Sequence, residues 1–444
     1  MRTTLLPDRK WRVRFRDQKA GLEDEETFDF LVVTSSSYSV AHVPLSFERV
    51  LAASPEFEGT VHHSREFPKL FQAGNVPSSL AGKNVLLVGG SYSAAEIMPE
   101  LIGHEDPTRN VKRVFWLMRR PRWLVGKWLP YEAAGGKLLP HDLVQVRRCN
   151  KTAENETSER TADEWRAANE QMERLCPEQS TLLGGKLHIN RERYYSLPPR
   201  RLLTWNYELF RQPSTAERLE VLLGEKLTRL GGRWAEFESG TRVDCDAILF
   251  CTGFKSNVSD YMDPEVLRAL EHKPNDTRGV GVLYKLTYLP GVETLAFIAM
   301  HRGLRFFIAE LQARWVALVF AGRLPPPDPS SASIQRAIDD ERRLIATGQC
   351  SNCSSPTDAD PEGLQFLHAD SIGVADSLAR EIGALPDSRE MERLAREDPE
   401  LHRCLTQGPI LPEHFFLVGP DAVSGVVREE ILKINKEIEE SPEH

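Results

Sequence analysis

The sequence has no run of about 18 apolar residues, the length a bilayer-crossing helix needs, and no charged-then-apolar stretch at its start of the kind that directs secretion. A membrane span is therefore not expected, and a cytoplasmic protein is. Its seven cysteines are an odd and scattered set, which supplies no disulfide framework. The one C-x-x-C, Cys350-Ser-Asn-Cys353, has neither a second pair nor histidines at ligand spacing nearby, so it reads as exposed loop and no metal site is expected. Positive charge is also short: 56 Lys and Arg against 65 Asp and Glu give a net charge of -9, which argues against a nucleic-acid partner. No internal repeat is present. What remains is 444 residues, 41% of them hydrophobic, enough to bury the cores of two or three domains.

The chain is organised around Gly82-Lys-Asn-Val-Leu-Leu-Val-Gly-Gly-Ser-Tyr-Ser-Ala-Ala-Glu-Ile97. Val85 to Val88 form a continuous apolar run, as a central parallel strand does, and the residues from Tyr92 towards Gly103 read as a helix. The small-residue turn between them, Gly89-Gly90-Ser91-Tyr92-Ser93-Ala94, leaves a helix N-terminus facing the strand end, where free amides bind a pyrophosphate. The G-x-G-x-x-G/A fingerprint reads here as Gly89, Ser91 and Ala94, with serine for the second glycine. The next strand, Arg113 to Met118, ends in Arg119-Arg120, where this fold reads the ribose 2′ position; an acid there favours NAD, and two arginines favour NADP.

Further along, Lys10–Phe15 and Glu26–Val33 read as a hairpin, followed by the small-residue turn Thr34 to Ser39 and by Phe57 to Phe67 as a loop. Asp163 to Leu175 has helical spacing, and Pro198 to Thr204 reads as a strap back to the first domain. Leu219–Leu223, Leu227–Leu230, Trp234–Glu238 and Val243–Phe250 read as a small β meander, Leu295–Met300 as a strand, and Ala309–Phe320 as a helix with an apolar face. Residues 324–362, rich in Pro, Ser and Asp, read as a surface excursion around one helix.

Phe57, Gly59, His63 and Phe67 make the pattern F-x-G-x-x-x-H-x-x-x-F just before the glycine turn, and on it the chain resembles the flavin-containing monooxygenases. Asp246-Ala-Ile-Leu-Phe-Cys-Thr-Gly-Phe254 is similar to a second strand-to-turn segment of that family, Glu310-Leu-Gln-Ala-Arg-Trp315 to a helix, and Gly408-Pro409 and Gly419-Pro420 to its C-terminal segments. The resemblance implies an α/β, two-dinucleotide-binding-domain flavoprotein: a Rossmann-like NADP domain at 80–214 inserted in a partial FAD domain, whose parts are 1–79 and 215–444.

It further implies FAD and NADPH as cofactors, and oxygenation of amine nitrogen or sulfide sulfur by O2 through a hydroperoxyflavin. Gly89, Ser91, Tyr92, Ser93 and Ala94 then meet the NADP pyrophosphate and sugar, and Arg119 and Arg120 the 2′-phosphate. Thr252 and Gly253 lie near the flavin, and Gln312 reaches its ring. His63 and Ser64 shape the domain junction, with His63 structural and not a base. The family's flavin pyrophosphate turn and active-site asparagine have no counterpart, since the one true G-x-G, Gly279-Val-Gly281, lacks a following helix. A preceding segment of about 100 residues, roughly one small domain, is thus expected to be absent. Ser36 stands where relatives have a glycine near the flavin, which together with the missing turn leaves open a non-catalytic NADP-binding remnant. A Baeyer–Villiger oxygenase is a further alternative, although Phe67 stands where that branch carries Trp.

Overall fold

The apolar runs around residues 85, 115, 220 and 248 are strands of one sheet, and in the computed structural model each hydrogen-bonds its neighbours in parallel. The structure describes residues 1–35, 38–67, 79–90, 92–103, 106–119, 123–126, 128–131, 137–140, 202–205, 217–273, 279–300, 306–347 and 371–440. Ser36, Ser91, Arg120, the Asp163–Leu175 stretch, Pro198 to Arg201 and the Cys350-Ser-Asn-Cys353 motif lie outside them. The chain divides into two compact units: Met1–Val40 with Pro130–Glu159 and Lys255–His444, and Ala41–Leu129 with Arg160–Phe254.

The second unit is built on five strands, β1 (Thr60–His63), β2 (Asn84–Val88), β3 (Arg113–Met118), β4 (Leu219–Leu223) and β5 (Ala247–Phe250). They lie in the order β4-β3-β2-β5-β1, all parallel. Successive side chains of a strand point to opposite faces, so burial on both faces demands an unbroken apolar run. β2 shows this directly. Val85 and Leu87 pack on one face against Ala94, Met98 and Leu101 of helix α1 (Tyr92–Ile102). Leu86 and Val88 pack on the other, in a cluster with Phe115, Ile248 and Phe250 that Phe47 and Leu51 of the helix Leu45–Ala52 cover. Strands Leu227–Gly231, Trp234–Phe237 and Arg242–Asp244 form an antiparallel meander in this unit.

Three sequence expectations change here. The meander is these three strands only, because Leu219–Leu223 and Ala247–Phe250 pair into the parallel sheet. The Phe57–Phe67 stretch is not all loop: Thr60–His63 is the edge strand beside β5. The expected boundaries at 79/80 and 214/215 accordingly differ from the division of the structure, since strands on both sides of them share one sheet.

The other unit opens with the antiparallel strands Arg2–Leu5, Trp11–Arg16 and Glu23–Phe28. The expected strand Glu26–Val33 is two strands serving two partners: Glu23–Phe28 pairs Trp11–Arg16, and Leu31–Val33 pairs Leu295–Phe297 in parallel. Trp11, Val13 and Val33 share a core with Val258, Leu270, Leu295 and Phe297, which supplies the second layer a hairpin needs. Helix α2 (Phe306–Phe320) buries Ile308, Leu311, Trp315 and Val319 against Ala375, Leu378 and Ala379 of helix α3 (Ser371–Glu381). The excursion after Leu324 contains the helix Ala332–Thr347. No helix among the described residues is long and apolar enough to cross a membrane.

Candidate functional site

Chain order in the parallel sheet reverses between β2 and β5: β3 and β4 follow β2 to one side, whereas β5 and β1 lie on the other. Open α/β sheets bind ligands at such a reversal, outside the carboxyl ends of the strands. The register aligns Val88 with Leu117 and with Phe250, and Phe250 with His63. Four segments therefore leave the sheet at one edge: Gly89-Gly90 after β2, Met118-Arg119 from β3, Cys251-Thr252-Gly253 after β5 and Ser64 after β1. The glycine turn, the first of the two arginines, the Thr-Gly pair and the fingerprint histidine, read separately in the sequence, meet here. Thr252 and Gly253 thus belong to the unit of the Gly89 turn, because β5 is hydrogen-bonded between β2 and β1.

Gly89 has φ +124°, and a Cβ on it would overlap the Cys251 carbonyl oxygen. A side chain there would force the two strand exits apart. Behind the turn, the fully buried Trp116 donates its indole N–H to the Gly89 carbonyl at 2.6 Å. Gly90 has room for no more than a tight contact, with Met118 Cγ 3.3 Å from where its Cβ would stand. Ala94 is fully buried under α1, so its smallness serves close helix-to-sheet packing, the third requirement of the fingerprint. Tyr92 is exposed at the start of α1, Ser93 lines the cavity described below, and Arg119 is exposed at the end of β3.

On the other side of the reversal, Thr252 Oγ1 donates to the His42 carbonyl, and the His42 amide donates to the Gly253 carbonyl at 3.0 Å. Gly253 has φ +87°, which favours glycine. His63 is buried, its Nδ1 accepts the Arg65 amide at 3.1 Å, and its ring meets Phe254 edge-on at 5.2 Å. Burial pushes its pKa below the ordinary value, so the ring is neutral and its Nδ1 stays an acceptor. This agrees with a structural role for His63. Ser64, Phe67, Ser93, Glu96, Ile97, Glu100 and Phe254 line a cavity of about 350 Å³ beside α1.

Gln312 is elsewhere, on α2 in the other unit, and it is fully buried. Its Oε1 accepts the Ala299 amide at 3.0 Å, while Nε2 donates to the Leu286 carbonyl at 3.1 Å and to Thr287 Oγ1 at 3.0 Å. Both of its N–H donors are engaged inside the core, so the structure does not support the expectation that this amide reaches a flavin ring. Gly281, in the chain's G-x-G, has φ +145°, and its Cβ would overlap the Leu270 carbonyl oxygen; this turn packs on the end of the helix Pro264–Ala269. Sequence reasoning missed Trp116 and His42. A buried indole in an otherwise apolar strand signals a hydrogen-bond partner, which points to Trp116; nothing local marks the backbone of His42.

Among known proteins, the chain is 27% identical over 424 residues to dimethylaniline monooxygenase (N-oxide-forming) 2 of Cavia porcellus, covering 93% of this chain and 67% of that protein. It is 23% identical over 441 residues to flavin-containing monooxygenase 5 of Homo sapiens, covering 95% of this chain and 68% of that protein. The chain spans about two thirds of the length of the curated relatives it matches. A solved structure of cyclohexanone monooxygenase with bound cyclohexanone covers 85% of this chain and 76% of that one at 14% identity, with a TM-score of 0.50. This likeness shows the fold, that of the flavoprotein monooxygenases with two dinucleotide-binding domains. The flavin-binding monooxygenase-like family model matches residues 8–440, and the chain belongs to that family.

Proposed function

We propose that the protein is an NADPH- and FAD-dependent monooxygenase that oxygenates soft nucleophiles, amine nitrogen or sulfide sulfur, with O2 as co-substrate. The observation that carries this reading is the convergence of Gly89-Gly90, Thr252-Gly253, Arg119 and His63 at the carboxyl edge where β2 and β5 part. NADPH suits that edge. The amides at the start of α1, at Tyr92 and Ser93, take the pyrophosphate, with Ser91 before them in the sequence, and Gly89, whose Cβ would overlap the Cys251 carbonyl oxygen, keeps the two strand exits together beside them. Arg119, together with Arg120, pairs with the 2′-phosphate as a charge-assisted donor. Glu96 and Glu100, lining the cavity beyond, disfavour phosphate there and hold the anionic part of the cofactor at the amide end.

FAD, once reduced by NADPH, supplies the oxygen-activating chemistry. The edge of this chain that fits it is the carboxyl end of the parallel pair Leu31–Val33 and Leu295–Phe297, where the chain leaves as Thr34-Ser35 and as Ile298-Ala299. The unit containing β1 to β5 handles NADPH in this reading, and the unit containing α2 carries the FAD part. The place of action is the cytoplasm, in keeping with Cys245, Cys251 and Cys404 all being free.

The test is the visible spectrum of the purified chain loaded with FAD, followed through addition of NADPH and then air, with N,N-dimethylaniline, an aryl methyl sulfide and cyclohexanone as probes. Flavin that bleaches with NADPH and returns in air with N-oxide or sulfoxide formed is the expected result. A flavin that NADPH does not bleach would contradict the proposal, and a lactone from cyclohexanone with no N-oxide or sulfoxide would replace it with the Baeyer–Villiger reaction.

A further inference from the structure

Three residues other than glycine near Gln312 hold the left-handed backbone conformation: Lys285 at φ +49°, Leu286 at +55° and Ala299 at +60°. Residues with a Cβ avoid this region, and where they occupy it the surroundings must hold them there. The surroundings here are side chains of two helices. From α2, Gln312 donates to the carbonyl of Leu286 and accepts the amide of Ala299, so one amide group grips two of the three residues. From α3, Glu381 accepts from Lys285 Nζ at 2.7 Å and from the Tyr284 hydroxyl at 3.2 Å, and the Ser377 carbonyl accepts from Lys285 Nζ at 3.0 Å. Thr287 joins the two grips, since its hydroxyl accepts from Gln312 and donates to the Lys285 carbonyl at 2.8 Å.

The network ends at the strand Leu295–Phe297. The Phe297 amide donates to the Thr287 carbonyl at 2.8 Å, and the Ile298 amide to the Val33 carbonyl at 2.9 Å. Ala299 is the residue at which the chain turns away from the carboxyl end of this parallel pair. A glutamine that only filled core volume would bury two polar atoms for nothing that leucine does not provide; this one sets the direction of the exit from the strand.

We propose that Gln312 is a positioning residue for the flavin: it touches no cofactor, but it fixes the left-handed turn at Ala299 and thereby the backbone that the flavin edge of this unit presents. The inference rests on the reading of the chain as an FAD-dependent monooxygenase, and it replaces direct contact by Gln312 with action through the Ala299 amide.

The test uses the full chain and the variants Gln312→Leu and Gln312→Glu. It reads amide hydrogen exchange at Ala299, FAD affinity by flavin fluorescence and NADPH affinity by titration. Gln312→Leu is expected to speed exchange at Ala299 and to weaken FAD binding about tenfold, the scale of a lost buried hydrogen bond, while NADPH affinity stays within about twofold. Gln312→Glu keeps an oxygen for the Ala299 amide and should restore slow exchange there, along with a share of the FAD affinity. Unchanged FAD affinity in Gln312→Leu despite faster exchange overturns the inference, and so does equal loss of both cofactors, which marks general loosening of the fold. A wild-type chain that binds no FAD overturns the proposed function, and the inference with it.

Discussion

Two glycine turns in this chain look alike locally and stand in different settings. Gly89 and Gly281 both hold left-handed backbone, and in both a Cβ would overlap a backbone carbonyl oxygen, that of Cys251 in one case and of Leu270 in the other. By the first three positions alone the second is the better match, since Gly279-Val-Gly281 has the G-x-G that Gly89-Gly90-Ser91 lacks, but its third small position is Tyr284 where the first has Ala94. Their settings separate them. Gly89 follows a parallel strand buried on both faces, precedes an eleven-residue helix and lies where strand order reverses. Gly281 packs on the end of a six-residue helix, and the chain goes on into the turn at Tyr284–Tyr288. Both glycines are required by close backbone packing, and a turn proposed for a cofactor is distinguished by what leaves the strand beside it, not by the glycine.

Substituting each turn breaks the comparison most sharply. Gly89→Ala and Gly281→Ala should both destabilise the fold by about 3 kcal/mol, from positive φ and overlap with backbone. Of the two, only Gly89→Ala should abolish NADPH binding in the fraction that remains folded. Urea unfolding with parallel NADPH titration checks both, and equal loss of NADPH affinity in Gly281→Ala would dissolve the distinction. A smaller effect is expected at the neighbouring strand exit. Arg119→Ala should weaken NADPH by about tenfold or somewhat more, the worth of a charged hydrogen bond, and leave NADH nearly unchanged. Parallel loss for the two cofactors in the same titration would remove Arg119 from the 2′-phosphate.

The smallest expected effect concerns pH. The buried His63 ring has a folded pKa below its ordinary 6.5, so the unfolded chain takes up its proton first as the pH falls. The stability it contributes is complete above that value and is lost as the pH drops from about 6.5 through the folded pKa. The Gly253 backbone and, less strongly, Glu66 oppose the shift, and His42 and Arg65 reinforce it. The urea midpoint should fall more steeply between about pH 7.5 and pH 5 in wild type than in His63→Gln, and matching slopes would show that this ring does not couple protonation to folding.

Much of the edge proposed for NADPH was legible because its signals are local. An unbroken apolar run followed by small residues and a helix gives β2 and α1, and the run Arg113 to Met118 gives β3 with Arg119 at its end. The edge strand Thr60–His63 was not legible, since Thr-Val-His-His carries no apolar alternation and pairs only because β5 lies beside it. Nor was the break in Glu26–Val33, where nothing in the residues says that one half joins Trp11–Arg16 and the other Leu295–Phe297. Gln312 shows the limit most plainly. A glutamine on a helix reads as a surface amide or a ligand contact, and its partners, 13 to 26 residues away in sequence, are backbone groups and a hydroxyl that only the fold brings within reach.

The central claim is that the edge where β2 and β5 part is the NADPH site and the Gly281 turn is not. The most direct test is amide hydrogen exchange of the whole chain with and without NADPH. The account predicts slowed exchange at residues 89–94 and 251–254 and no change at 279–283. Protection at 279–283, or none at 89–94 under saturating NADPH, would contradict it.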